Sequence, residues 1–432
     1  MPLFTKAQIE QINAVAEKSK KLSDVPKSTY KKSMNSELAS MSNSVQEYFK
    51  DSPAILISDV NELHDYVSKC IDFGYAGIDT ETTGLDRAND TIVGASLYVP
   101  GMPECYIPMK HIMPIFDVPY KDQLSYEDTG KEFQRLVDGN VKLIFANADF
   151  DLAMIFKDLK TDLIDACYYD VILAWRCLKE DERDNSLKGL YAKYCLKGNA
   201  DPKKFRDFFT PELFPYCKPE IAKLYAANDA KITYELFKWQ LPYVTKNHPK
   251  CQKAHLESIA DLVWNIEMPL IRVCQELHRL GMYIDTDVAR VLQKRYYLKR
   301  DKANQELSEM VDNEIRHSSY IQPFGKKEPF KNGAEFNAES PVHTKHLLYN
   351  IMGIPQGKDS GTGKEILREM NLPITDKILE VRSYGVLINT FVDKMPNSIG
   401  SDGRIHGQFK SIGAATGRFS SNSPNKNWAL VA

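Results

Sequence analysis

The chain has 432 residues, of which 43% are hydrophobic and 26% charged, with 56 Lys and Arg against 58 Asp and Glu. This length and apolar content predict two or three folded domains and exclude a chain that is disordered throughout. The net charge of −2 carries no global signature of a nucleic-acid partner, so evidence for such a partner has to come from individual sites.

The cysteines predict a chain that resides in a reducing compartment, and the hydropathy pattern predicts no segment that inserts into a membrane. Eight cysteines are scattered along the chain without a C-x-x-C pair and lie mostly in apolar helical patterns. Buried reduced thiols are therefore predicted in place of disulfides or a zinc site. The N-terminus has no apolar signal core, and no run of 18 apolar residues occurs, so we expect neither export nor membrane insertion, and a cytoplasmic location.

In chain order, three patterns follow one another. Residues 1–52 are rich in Lys, Ser and Asn, with an amphipathic run at 7–21, and predict a short helix followed by a flexible tether. From Ala54 to about residue 240, short strand-like runs alternate with helical ones, which predicts an α/β layer fold. After Cys251 long helical patterns dominate, and they are predicted at 255–281, 288–315, 364–370 and 376–394.

Two carboxylates stand two residues apart at the end of an apolar run, in Tyr75-Ala-Gly-Ile-Asp-Thr-Glu. Residues two apart in a strand project from the same face, so Asp79 and Glu81 would converge on one point. Adjacent anions repel one another unless a cation lies between them. A D-x-E pair is common, however, and a solvated strand end also explains it.

Two further motifs carry acids. Asp151 would lie in the first turn of a helix that follows the strand pattern VKLIF, near Asn147, where an acid is also a common helix cap. Tyr225 and Asp229 are four residues apart on a helical pattern and would share one helix face. Taken alone, this pair also fits a buried tyrosine beside a surface aspartate.

Taken together and in this order, the three motifs resemble the DEDD exonuclease superfamily in its tyrosine variant, with a ribonuclease-H-like fold. The histidine variant would need His at position 224, which is Leu224. The resemblance implies two divalent ions, Mg²⁺ or Mn²⁺, which suit hard oxygen ligands and phosphodiester hydrolysis. It also implies a role for each residue. Asp79 would bridge both ions, Glu81 and Asp229 would hold the ion nearer the nucleophile, and Asp151 would act on the other ion through ligated water.

By the same resemblance, Tyr225 would orient the attacking water. Asn147 would contact the terminal nucleotide, and Leu85 would wedge against its base.

A longer resemblance, over residues 54–425, is to the family A DNA polymerases. The segments 165–178 and 185–196 resemble helices of the bacterial proofreading domain, and 265–285 resembles the entry into the polymerase domain. The segment at 336–355 resembles the approach to the thumb tip. ATGRFSSNSPN, at 415–425, resembles the motif T-G-R-x-S-S-x-x-P-N, in which the arginine contacts DNA. By the same resemblance Arg418, Asn389 and Thr390 would touch primer–template duplex.

The resemblance implies a domain plan and a function. The plan is an N-terminal helix and tether at 1–52, a 3′→5′ exonuclease domain at 53–245, a thumb-like helical region at 246–400 and a truncated start of the palm at 401–432. The implied function is proofreading of single-stranded DNA 3′ ends and primer–template duplex in DNA replication. No 5′-nuclease domain precedes the exonuclease, an arrangement that resembles phage-type enzymes, for which the compartment is the bacterial host cytoplasm.

The palm aspartates and the fingers helix of the family have no counterpart in the sequence. DNA synthesis would therefore need palm and fingers supplied by a separately encoded polypeptide. Two alternatives remain open from the sequence: a non-catalytic DNA-binding subunit of a split polymerase, and a DEDD-type ribonuclease.

Overall fold

The computed structural model describes residues 27–421 except 115, 180–181, 183–185, 199–202, 324, 326, 357–360, 412 and 414–416. The helix predicted at 7–21 and most of the motif at 415–425 thus lie outside the described residues. The chain divides into two compact units, Met1–Gln275 with Ser411–Arg418, and Glu276–Lys410 with Phe419–Ala432. In the part of the chain that the structure describes, no helix has the length and apolarity needed to cross a membrane.

The first unit follows the predicted alternation of strands and helices. Its strands are β1 (Ile55–Leu56), β2 (Tyr75–Thr82), β3 (Ile92–Tyr98), β4 (Cys105–Pro108), β5 (Ile112–Met113), β6 (Val118–Pro119), β7 (Lys142–Phe145) and β8 (Cys167–Asp170). Its helices are α1 (Lys27–Tyr48), α2 (Val60–Phe73), α3 (Tyr126–Asp138), α4 (Ala148–Leu159), α5 (Val171–Leu178), α6 (Leu187–Leu190), α7 (Pro219–Val244), α8 (Pro249–Lys253) and α9 (Met268–Leu280), of which α9 runs on into the second unit.

Among the described residues, the main sheet has the strand order β1-β4-β3-β2-β7-β8. The strands β2, β3 and β4 are antiparallel neighbours, whereas β1 is parallel to β4 and both β7 and β8 continue the sheet in parallel with β2. This mixed sheet flanked by helices confirms the predicted fold class. It places β2 in the middle of the sheet, with its residues enclosed on both faces.

Local signals set the ends of helix α2, which leads into β2. Asp59 caps its first turn by accepting hydrogen bonds from the backbone N–H groups of Asn61 and Glu62. The helix ends at Gly74, whose φ of 81° lies in the left-handed region that glycine adopts without a steric penalty. The chain reverses there, so β2 starts at the next residue and runs back beneath the helix.

The apolar core of the first unit lies between the sheet and its helices. Side chains from β2, β3 and β7, such as Ile78, Leu97 and Ile144, are fully buried against helices α2, α3 and α4. Met268 and Ile271 of helix α9 belong to the same core. The first compact unit therefore extends beyond residue 245, and the domain boundary proposed there stays a prediction.

The flexible tether predicted before residue 53 is wrong for the residues that the structure describes. Residues 27–48 form helix α1, and its Met34, Leu38, Met41 and Val45 are buried in a second apolar cluster with Phe214. Positions 34, 38, 41 and 45 lie on one helix face, so the helix buries one apolar stripe among polar residues.

The second unit is mostly helical, as the sequence predicts. It contains β9 (Met282–Tyr283), α10 (Thr286–His317), α11 (Pro341–Lys345), α12 (Lys364–Met370), α13 (Pro373–Leu387), α14 (Lys394–Asn397), β10 (Arg404–Ile405), β11 (Phe409–Lys410) and β12 (Ser420–Ser421). Leu307 and Val311 of α10 pack with Ile378 and Val381 of α13 in its core. The first half of α10 instead exposes apolar side chains, including Val291 and Leu298.

Candidate active site

Two carboxylates occupy the end of the central strand β2. Asp79 and Glu81 alternate with Ile78 and Thr80, which are buried on the opposite face of the sheet. The pairing of β2 with β3 shifts in register between Glu81 and Thr82. A register shift of this kind ends regular pairing and bends the strand, so the two acids stand where the sheet opens.

Helix α7 crosses β2 at unusually close range. A Cβ built on Gly77 would lie 2.1 Å from the backbone oxygen of Ala230 on α7, a distance that no side chain tolerates. Only glycine therefore allows this approach. Asp229 precedes Ala230, so the contact brings its carboxylate down to the strand that carries Asp79 and Glu81.

The three carboxylates converge. Asp79, Glu81 and Asp229 each offer an oxygen, and these oxygens all lie within 4.8 Å of one another. The residues come from a strand and from a helix about 150 positions later in the chain. Carboxylate oxygens are the hard donors that Mg²⁺ and Mn²⁺ prefer, so the donor set fits a divalent cation.

The fourth predicted acid lies beside this group. Asp151 is buried in the first turn of helix α4, and its Oδ1 accepts a hydrogen bond of 2.5 Å from the hydroxyl of Thr80. Among the described residues it is not part of the convergent three-carboxylate group. It lies near enough to Asp79, however, to raise the pKa of that carboxyl.

Burial raises the pKa of every acid in the cluster, and repulsion by neighbouring carboxylates of the cluster adds to this effect at Asp79 and Glu81. The pKa of Asp79 rises well above its usual range, first through burial and then through Asp151, Asp229 and Glu81. Burial, with Asp229, raises the pKa of Glu81 to about 8, and burial raises the pKa of Asp151 to about 7. Burial also raises the pKa of Asp229. Like charges held together in a dry site are relieved by a bound cation.

Tyr225 lies one helical turn before Asp229 on α7, as its spacing predicts. It is 3% exposed, and its ring is packed by the rings of Phe49, Phe205, Phe208 and Phe209. Burial, followed by the charges of Asp229, Glu81 and Asp79, raises its pKa far above the usual range. The phenol therefore keeps its proton and can act as a hydrogen-bond donor at the edge of the carboxylate cluster.

Lys188, which the sequence analysis did not single out, joins this site. Its Nζ lies 3.0 Å from Oδ1 of Asp229 and 3.5 Å from the centre of the Tyr225 ring. It lowers the pKa of Asp79, Glu81 and Asp229, in each case against the larger effect of burial. In the sequence it is one lysine among many in an amphipathic pattern, so no local signal identifies it.

A second missed residue, Asp170, positions the start of helix α4. Its Oδ2 accepts a 2.7 Å hydrogen bond from the backbone N–H of Ala148, while its Oδ1 caps helix α5. The preceding residue, Asn147, adopts a left-handed φ of 76° with an exposed side chain and no side-chain cap bond. The carboxylate of Asp170 thus fixes the turn that carries Asn147 and, one helical turn later, Asp151.

An ion pair and an amide hold the same turn from its other side. Arg87, which is 9% exposed, pairs with Asp149, and the side-chain amide of Gln275 on helix α9 donates to Oδ1 of Asp149 at 2.7 Å. Asp149 lies in the first turn of helix α4. In the structure its carboxylate joins three segments of the first unit.

The residues that were predicted to contact DNA lie in different parts of the chain. Leu85 is 78% exposed in the loop after β2, and the side chains of Asn147 and Arg418 are also exposed. Asn389 is exposed and Thr390 half-buried in a π-helical turn of the second unit, Ile388–Val392. The roles of these five residues in binding DNA stay predictions.

Comparisons with known proteins match this architecture. The 3′-5′ exonuclease family matches residues 54–239, and DNA polymerase family A matches residues 304–427. DNA polymerase I of Pseudomonas aeruginosa is 26% identical over 360 residues, 80% of this chain and 36% of the relative. The DNA polymerase of Escherichia phage T5 is 26% identical over 394 residues, 85% of this chain and 42% of the relative.

One solved structure, the POL domain of Pol1 from M. smegmatis in complex with DNA primer-template and dNTP, has a TM-score of 0.57 at 19% identity. The match covers 84% of this chain and 54% of that chain, and it supports the fold. The chain spans about two fifths of the length of the curated relatives named above. The resemblance predicted from the sequence is confirmed for the two matched segments: residues 54–239 are similar to the 3′-5′ exonuclease family, and residues 304–427 are similar to DNA polymerase family A.

Proposed function

We propose that the chain is a metal-dependent 3′→5′ exonuclease that removes nucleotides from DNA 3′ ends, and that it proofreads as the N-terminal part of a family A DNA polymerase in DNA replication. The observation that carries the proposal is the convergence of Asp79, Glu81 and Asp229 within 4.8 Å at the end of the central strand. The match of residues 54–239 to the 3′-5′ exonuclease family supports the same reaction.

The donor set fits two divalent ions. Asp79, Glu81 and Asp229 would hold the ions directly, and Asp151, which lies beside them, would assist in holding them. Such ions, when bound, stabilise the negative charge that develops on the attacking and leaving oxygens of a phosphodiester. The raised pKa values of Glu81 and Asp151, to about 8 and about 7, fit a cluster built to be neutralised by cations.

The chain's own residues supply orientation. The protonated phenol of Tyr225 would hold the attacking water in line with the scissile bond, since its ring is fixed by packing and its hydroxyl borders the carboxylates. Asp170 and Asp149 hold the first turn of helix α4, and so would keep Asp151 in place. Positioned groups of this kind cost little reorganisation during the reaction.

DNA is the substrate that the relatives favour. The family A match at residues 304–427 and relatives that are DNA polymerases support a DNA 3′ end over an RNA 3′ end. Exposed Leu85 would stack against the terminal base, and exposed Asn147 would contact the terminal nucleotide. Arg418, Asn389 and Thr390 would contact primer–template duplex, and synthesis would use a palm and fingers supplied elsewhere in the same protein or by a separate polypeptide.

The direct test follows the shortening of DNA from its 3′ end. The purified chain is incubated with 5′-labelled single-stranded DNA, with a primer–template bearing a 3′ mismatch, and with RNA of the same sequence. In Mg²⁺ or Mn²⁺ we expect stepwise shortening of both DNA substrates, release of nucleoside monophosphates, little action on RNA, and no reaction in EDTA.

Two variants make the test specific to the site. Asp79→Ala removes a proposed metal ligand and is expected to abolish shortening, whereas Asp72→Ala removes an exposed acid of helix α2 and is expected to leave it unchanged. Degradation that survives Asp79→Ala would exclude this site as its source. A chain that binds duplex in a salt-dependent manner without degrading it would instead support a non-catalytic DNA-binding role, and a preference for RNA would support a ribonuclease.

A further inference from the structure

Lys188 is held inside the carboxylate cluster by two different contacts. It belongs to the short helix α6, which Ser186 caps by accepting from the backbone N–H of Gly189. The side chains of Lys188 and Asp229 are only 12% and 14% exposed, and their charged atoms are 3.0 Å apart. The same ammonium lies 3.5 Å from the centre of the Tyr225 ring. A lysine so enclosed loses hydration and side-chain freedom, so its partners must stabilise it.

The charges around Lys188 explain why it stays there. It acts on three of the four acids, Asp79, Glu81 and Asp229, while Arg87 acts on the fourth, Asp151. Without a bound ion, four carboxylates held close together in a partly buried site would repel one another. The ammonium of Lys188 partly offsets that repulsion, most directly at Asp229.

A divalent ion and this ammonium would compete for the same carboxylate. A Mg²⁺ or Mn²⁺ ligand oxygen lies roughly 2.1 Å from its ion, and the positive charge of an ammonium only 3.0 Å from that oxygen repels the ion. Lysine has a flexible four-carbon stem, so its head can withdraw while the backbone of α6 stays in place. The carboxylates, in contrast, are fixed on β2 and α7.

We propose that Lys188 is a built-in counter-cation that occupies the ion-binding side of Asp229 in the metal-free chain and is displaced when a divalent ion binds. This proposal rests on the metal dependence proposed above. Lys188 is thereby a positioning residue: it holds Asp229 and Tyr225 together before the ion arrives, and it makes the site less avid for metal than its four acids alone would be.

The test measures metal binding and metal-free stability in the full chain, without substrate. Lys188→Gln keeps the length and polarity of the side chain and removes its charge. We expect it to bind Mn²⁺ at least roughly tenfold more tightly by titration calorimetry, because a repelling charge is gone. In EDTA its unfolding midpoint should fall below that of the wild-type chain, and saturating Mn²⁺ should close the gap.

Two matched lysine variants serve as controls. Lys193→Gln removes an exposed lysine five residues later, paired with Glu182, and should change neither measurement. Lys188→Arg retains the charge and should keep the wild-type affinity. If Lys188→Gln is unfolded in EDTA, Mn²⁺ added during circular dichroism should restore its fold, and failure to restore it counts against the proposal.

The outcomes separate this proposal from the function it rests on. Equal Mn²⁺ affinity in wild type and Lys188→Gln refutes the counter-cation role, and weaker binding by the variant refutes it too, since Lys188 would then assist the ion. A chain that binds Mn²⁺ with the predicted difference and yet leaves DNA intact refutes the nuclease function alone. A wild-type chain that binds no Mn²⁺ refutes both.

Discussion

The ring of Tyr225 packs in the core, and its hydroxyl is the group that would take part in the reaction. The ring is buried among four phenylalanine rings, and these contacts do not involve the oxygen. Burial raises the pKa of the hydroxyl, and the nearby charges of Asp229, Glu81 and Asp79 raise it further. Removing only the oxygen should therefore leave the fold intact and remove a hydrogen-bond donor at the site.

We predict that Tyr225→Phe lowers kcat for DNA shortening by roughly 100-fold, the scale of one positioned proton-donating group, with KM within about twofold of wild type. The unfolding midpoint should be unchanged. Single-turnover kinetics on labelled single-stranded DNA measures the rate. Tyr216→Phe, a half-buried tyrosine that precedes α7, is the matched control. An unaffected kcat would remove Tyr225 from the reaction.

His111 is a buried histidine outside the candidate site. It is fully buried after β4, where its Nε2 lies 2.8 Å from the hydroxyl of Tyr106 and its ring packs on Phe214. Burial lowers its pKa to about 4. In the unfolded chain this histidine binds a proton near pH 6.5, whereas in the folded chain it does not. The contribution of His111 to the free energy of unfolding is therefore complete above pH 6.5 and is lost as the pH falls toward 4.

We predict that His111 makes the unfolding free energy of the first unit decrease by roughly 3 kcal/mol between pH 6.5 and pH 4. The pKa values of the active-site acids are raised in the folded chain, so these acids also make stability depend on pH across this range, and the wild-type curve alone is not diagnostic. His111→Gln keeps a hydrogen-bonding group for Tyr106 and removes the titration. Urea unfolding of both chains at several pH values should give curves that diverge below pH 6.5, and parallel curves would contradict the prediction.

At the scale of elements, the crossing of β2 and α7 builds the site. Gly77 permits the backbone of Ala230 to approach the strand, and this approach also places the neighbouring Asp229 at the strand. Tyr225 and Asp229 are then delivered by the helical repeat of α7, and Asp79 and Glu81 by the alternation of β2. A change in the distance between the two elements should therefore act on the whole carboxylate group.

We predict that Gly77→Ala destabilises the first unit by about 1–3 kcal/mol, because its methyl group forces α7 away from β2. DNA shortening should fall roughly 100-fold, since a displacement near 1 Å misplaces Asp229. Gly363→Ala, where a Cβ meets open space, is the control and should change neither property. Loss of stability with full activity would show that the crossing distance does not set the site.

Helix α1 shows how an element can be missed. Its four buried residues recur at helical spacing, but they stand among Lys, Ser, Asn and Glu, and the low overall apolarity favoured a tether. What stabilises the helix is a groove between distant segments, including Phe214 and Ile221. A sequence pattern can predict that a helix has an apolar face. It cannot predict whether the rest of the fold offers a surface on which that face packs.

At the scale of the whole molecule, the chain forms two compact units, and all four acids, Tyr225 and Lys188 belong to the first. A ligand that binds a folded unit stabilises that unit by mass action, by about 2.7 kcal/mol at a concentration 100 times its dissociation constant. Metal binding should therefore protect one unit selectively.

We predict that saturating Mn²⁺ slows hydrogen exchange in peptides from β2, α4 and α7 and leaves peptides from α10 and α13 unchanged. Hydrogen-exchange mass spectrometry of the full chain with Mn²⁺ and with EDTA measures both units in one experiment. Asp79→Ala should remove the protection. Equal protection of both units would mean that the ions act outside the carboxylate cluster.

The α/β alternation, the helical second unit and the motifs that carry the site could be predicted from the amino-acid sequence; those motifs contain Asp79, Glu81, Asp151, Tyr225 and Asp229. They follow from periods of two and 3.6 residues and from the order of the motifs along the chain. The fold was needed to show that three acids converge while a fourth bonds Thr80, that α1 is packed, and that Lys188 and Asp170 belong to the site. The physical reason is distance: charge repulsion, burial and ion pairing depend on separation in space, and residues 41 positions apart, such as Lys188 and Asp229, have no common pattern in the sequence.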